Sequence, residues 1–105
     1  MKILENAFVQ PESTILTEND KVKIEQFKIA EDLSTTTITV LPNQHFTFNS
    51  RSGILSTHVG TGTISNGAET YDLNMFNKVA IERGESVTLT NNQTYPLIIN
   101  IITAN

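Results

Sequence analysis

His45, Phe46, Phe48, Arg51 and Tyr95 are the residues of this chain whose types and spacing can do chemistry together. His45 supplies an imidazole, a side chain suited to a general base or a metal ligand; the plainer alternative is a polar histidine capping a strand edge. Phe46 and Phe48 lie two apart and so share one face of a strand. They either plug a core or wall an apolar pocket in which the Tyr95 hydroxyl orients a ligand. Arg51 follows in the polar loop 49–53, where its planar fork can clamp a carboxylate or a phosphate, or simply stay solvated. Together the five form a candidate small-molecule pocket. His58 has the opposite parity from the apolar set Leu55, Thr57 and Val59 and reads as a surface or interface histidine.

Several chemistries are excluded by what is missing. Cysteine is absent, which removes disulfides, thiolate nucleophiles and cysteine-ligated zinc. There is no Gly-x-Ser-x-Gly elbow, and Gly60-Thr61-Gly62 lacks the third glycine and following helix of a phosphate loop. The formal charge is −4, and the 7 basic residues are scattered among 11 acids, so no basic face offers itself to nucleic acid. Met1-Lys2-Ile3-Leu4-Glu5 has no apolar core of a secretory signal, and no apolar run approaches the roughly 20 residues of a membrane helix. A cytoplasmic protein with no membrane partner is expected, in which the sequon Asn92-Gln93-Thr94 carries no meaning.

The elements that must position these residues read as strands. At 105 residues the chain is expected to form one domain, residues 1–105, with residues 1–20 as an irregular leader with a short strand. From Lys21 to Ile29 apolar residues alternate and then change phase, which predicts a strand with a β-bulge at Glu25-Gln26. Residues 30–34 predict a loop or a single helical turn. Thr35 to Leu41 is the clearest strand, with Ile38 and Val40 on one face and Thr37 and Thr39 on the other. Pro42-Asn43-Gln44 stops it, 45–48 form a short strand, and 54–59 another that ends at Gly60-Thr61-Gly62. Asn66-Gly67 predicts a tight hairpin with two positive φ values. Val79-Ala80-Ile81, a turn at Arg83-Gly84-Glu85, Val87-Thr88-Leu89 and the apolar run 95–102 complete an all-β chain of nine or ten short strands.

Over about Lys21 to Ile102 this order of features resembles the small single-domain cupins, which are jelly-roll β-barrels. Thr35–Leu41 followed by Pro42-Asn43 is similar to their first strand and loop, and Gly60-Thr61-Gly62 to their glycine corner. Residues 79–89 are similar to their Gly-Asp turn and flanking strands, with Glu85 in the aspartate's place. The family's metal site, three histidines and a glutamate, would fall at Phe46, Phe48, Tyr95 and Gly53, where none of those ligands stands. A one-residue slip returns only His45 to a ligand position. The resemblance therefore implies a metal-free, cofactor-free domain that binds a small molecule, such as a sugar or organic acid, or serves as a scaffold. The alternatives are an isomerase or epimerase-type enzyme working without metal, a metal-dependent cupin in another register, and a different jelly roll.

Leu97-Ile98-Ile99 and Ile101-Ile102 are too apolar on both faces for a solvent-exposed edge. That strand belongs either at the centre of a sheet or in a subunit interface, and the resemblance implies a homodimer.

Overall fold

The computed structural model describes residues 14–104. Among them lie ten strands: β1 (Thr14–Glu18), β2 (Val22–Ala30), β3 (Leu33–Val40), β4 (His45–Asn49), β5 (Gly53–Val59), β6 (Gly62–Ser65), β7 (Thr70–Leu73), β8 (Lys78–Ile81), β9 (Ser86–Thr90) and β10 (Leu97–Ala104). Part of the expected leader, residues 1–13, lies outside the described residues, and the rest of it is β1 and the turn that follows. The strands form a six-stranded sheet in the order β1-β2-β3-β10-β5-β8 and a four-stranded sheet in the order β4-β9-β6-β7. The fold is an all-β jelly roll whose two antiparallel sheets face each other without hydrogen bonds closing their edges.

Alternation along the strands decides which residues the sheets enclose. Ile38 lies between Ile24 and Ile99, and Leu55 between Ile101 and Val79, so rows of apolar side chains cross the inner face of the larger sheet. Ile64, Val87 and Leu89 answer from the smaller sheet, and all are buried in one cluster with Leu73 and Leu97. Each such side chain contributes roughly 1.5–3 kcal/mol by leaving water. Thr35, Thr37 and Thr39 fill the opposite, outer face, where Asn100 Nδ2 donates to Thr35 Oγ1 at 2.5 Å, while Thr36 shares the inner parity of Ile38.

Two expectations about β2 and the turn after it are corrected. No bulge interrupts β2 at Glu25-Gln26, which pair in regular register with Thr37 and Thr36; the irregularity falls between Lys28 and Ala30. The change of phase has another cause: Phe27 and Glu25 are buried on the outer face, so β2 is covered on both sides. The loop or helical turn expected over residues 30–34 shrinks to a turn of only Glu31 and Asp32, because β2 runs to Ala30 and β3 begins at Leu33.

β10 takes the central position between β3 and β5. Leu97, Ile99 and Ile101 are buried inward, whereas Ile102, in register with Ile54, remains 48% exposed on the outer face. The glycine corner is needed sterically. Gly60 has φ +83°, and a Cβ on Gly62 would stand 2.4 Å from the carbonyl oxygen of Thr90. The Asn66-Gly67 turn differs from expectation, since only Gly67 has positive φ. Asn66 Oδ1 instead accepts the amides of Ala68 and Glu69, which widens the turn to four residues, 66–69.

Candidate functional site

β4 brings together the two phenylalanines and separates them from the histidine. The pleat turns Phe46 and Phe48 inward, with ring centroids 5.8 Å apart and planes 16° from parallel. His45 and Thr47 alternate with them and are exposed. The rings form one wall of an apolar cavity of about 180 Å3 between the sheets, whose other walls include Ile24, Ile38, Ile81 and Ile101. Gln26, Thr36, Asn49 and Thr103 add polar atoms, and Arg51 also lines the cavity.

Arg51 sits in a loop that hydrogen bonds hold in place on both sides. Ser50, itself buried, accepts the amide of Gly84 on its carbonyl at 3.0 Å and donates its own amide to Glu85 O at 2.9 Å. Its hydroxyl donates to Glu82 O, and Ser52 Oγ accepts the amide of Arg83 at 3.2 Å. The backbone on either side of Arg51 is thus clipped to the 82–85 turn. No ion pair engages the guanidinium among the described residues. A cation without a carboxylate partner at the edge of an apolar cavity can hold an anionic group while the cavity takes its hydrocarbon.

Of the five candidate residues, Phe46, Phe48 and Arg51 line this cavity; His45 and Tyr95 do not. His45 lies beside Thr90 at the far end of β4, next to the point where Asn91 N donates to Gln44 O. Tyr95 is 51% exposed, in the loop that Asn91 Nδ2 ties down through Tyr95 O at 2.9 Å. Arg51 follows the opposite end of β4, and five residues of strand span roughly 17 Å. Gln26, Thr36 and Thr103 were not among the sequence candidates. The signal for them was the pairing of three different strands, which no local pattern contains.

No family model and no curated protein matches this sequence. Solved structures do match it. A cupin-2 domain, Rru_A2000 from Rhodospirillum rubrum, superposes with a TM-score of 0.74 at 11% identity, covering 92% of this chain and 72% of that one. The fold is that of the cupin domains. The cupin domain of an XRE family transcriptional regulator from Enterobacter cloacae matches with a TM-score of 0.69 at 9% identity over 79% of this chain and 95% of its own. A vicilin from Solanum melongena gives 0.76 at 9% identity over 90% of this chain but 29% of the larger protein.

The residues of this cupin-like domain do not fit the metal site that the resemblance would place in it. Phe46 and Phe48 offer ring carbon, Gly53 has no side chain, and Tyr95 stands outside the cavity. Among the described residues, no three of His, Cys, Asp or Glu converge on a point. Transition-metal sites need three or four nitrogen, sulfur or carboxylate donors. No helix of the described residues is long and apolar enough to cross a membrane.

Proposed function

We propose that this cupin-like domain binds a small organic acid, with its carboxylate on Arg51 and its apolar body against Phe46 and Phe48. The observation that carries this reading is a guanidinium, in no ion pair among the described residues, beside a hydrocarbon-walled cavity. Water occupies about 30 Å3 per molecule in the liquid. A cavity of about 180 Å3 therefore takes a ligand of only a few carbon atoms or one small ring. At roughly 0.3–0.5 kcal/mol per heavy atom, such a ligand binds in the millimolar to sub-millimolar range. The vicilin structure is described as having different anionic ligands in structurally similar pockets, which agrees with an anion as occupant.

The test compares benzoate with uncharged benzamide by NMR titration. Benzoate is expected to shift the Phe46, Phe48 and Arg51 resonances at lower concentration than benzamide, and Arg51→Gln to erase the difference. Equal binding of both ligands, or no shift at these residues with benzoate or a panel of short aliphatic acids, overturns the proposal.

A further inference from the structure

β8 and β7 each form one edge of the two sheets, the opposite edges being β1 and β4, and among the described residues each pairs on one side only, with β5 and β6 respectively. They face each other across a trough formed by two adjoining cavities of about 420 Å3 each, with Glu69, Tyr71, Val79 and Ala80 as common walls. An edge strand presents main-chain N–H and C=O groups that a further strand can pair with. Both edges are four residues long, so neither exceeds what one short extended segment covers.

The trough is also strongly one-signed. Glu69, Asp72, Glu82 and Glu85 line it against the single cation Lys78, and none of the four carboxylates forms an ion pair among the described residues. Two of these acids are held in position. Glu85 accepts the Glu82 amide at 2.7 Å and Asn66 Nδ2 at 3.0 Å, while Glu69 accepts the Tyr71 hydroxyl at 2.7 Å. The Asn66 hydrogen bond, then the Glu82 amide, holds the Glu85 carboxyl below its ordinary value. Val79 and Ile81, from alternate positions of β8, supply the apolar floor that an alternating strand would meet.

We infer that this trough is a docking site for an extended basic segment of a partner protein, added as a strand along β8 with its cationic side chains on the acidic rim; on β7 the Asp72 carbonyl already accepts Asn77 Nδ2 at 3.1 Å. Strand addition of this kind draws affinity from main-chain hydrogen bonds and specificity from alternate side chains. Charge complementarity selects the occupant: an acidic or neutral strand would find the same main-chain groups but face uncompensated carboxylates.

The probe is a capped hexapeptide of alternating lysine and valine, titrated against the full chain with NMR and amide hydrogen exchange as readouts. Saturable binding is expected, with slowed exchange confined to the 78–81 amides. Raising salt from 50 to 500 mM should weaken it at least fivefold, because the contacts on the rim are screened. Replacing lysine by glutamate in the peptide should abolish binding, and N-methylating alternate peptide amides should weaken it at least tenfold. The Glu69→Gln/Glu82→Gln variant, which keeps an acceptor at each position, should bind at least fivefold more weakly. The inference is overturned by no binding at millimolar peptide, by indifference to N-methylation, which would mark loose charge attraction only, or by protection appearing at β1 instead.

Discussion

Replacing Asn91 by alanine should remove about 3 kcal/mol of stability, for reasons that can be counted atom by atom. Asn91 is fully buried, between the end of β9 and the loop that leads to β10. Its Nδ2 donates to Val40 O at 3.0 Å, Tyr95 O at 2.9 Å and Leu41 O at 3.3 Å. Its Oδ1 accepts the amide of Gln93 at 2.9 Å. Two amide hydrogens serve three carbonyls, so the side chain makes two full donated bonds, one of them shared, and one accepted bond. At about 1 kcal/mol net for each, the sum is about 3 kcal/mol. Domains of this size hold roughly 5–15 kcal/mol in total, and each kcal/mol moves the midpoint by roughly 4–8 °C, so Tm should fall by roughly 12–24 °C. Urea unfolding and calorimetry on Asn91→Ala, with exposed Asn92→Ala as the control, measure the difference. Asn91→Asp should be no better than alanine at pH 7, because a buried carboxylate would then face three carbonyl oxygens. A loss below about 1 kcal/mol for Asn91→Ala, or an aspartate variant as stable as the parent, would refute the clamp.

Gly62→Ala should cost roughly 1–3 kcal/mol, since its Cβ would meet the Thr90 carbonyl oxygen at 2.4 Å and backbone cannot step aside cheaply; a neutral urea midpoint would show the corner to be looser than described. Thr57→Val should raise stability by about 1 kcal/mol, because Thr57 Oγ1 is buried with no hydrogen-bond partner among the described residues and valine matches its shape; a loss of similar size would mean the hydroxyl is bonded. For Glu85 the folded carboxyl sits below its unfolded value, so its contribution is present above the ordinary carboxylate range and disappears as pH falls through the folded value. Glu85→Gln should therefore be less stable than the parent at pH 7 and converge with it once the pH has fallen through the folded value, as read from paired urea titrations; a gap that stays constant with pH would count against this assignment.

How much of this was readable before folding depends on whether a strand's two faces differ. β3 was plain because Ile38 and Val40 alternate with threonines, and only one of those faces meets the core. β2 misled because Glu25 and Phe27 are buried on the face that in most sheets is wet. β7 left little trace, since Leu73 is the only one of its four residues to be buried. For the site, the parity of β4 was enough to put Phe46 and Phe48 side by side. The same parity turns His45 away, a consequence obscured when residues are grouped by chemical type. Tyr95 is kept out by the loop before β10: Asn91 holds its carbonyl, Pro96 follows, and the strand begins only at Leu97. The acidic trough depends on Glu69 and Glu82 meeting across a gap between sheets, and no linear pattern encodes such a meeting.

A crystal of the chain grown with benzoate offers the most direct test of the central claim, that Arg51 and the phenylalanine-walled cavity form one anion-binding site. The account predicts density for the ring beside Phe46 and Phe48, with both carboxylate oxygens within about 3 Å of the guanidinium. Benzoate bound elsewhere while this cavity holds only water, or the Arg51 side chain turned away from the ligand, would contradict it.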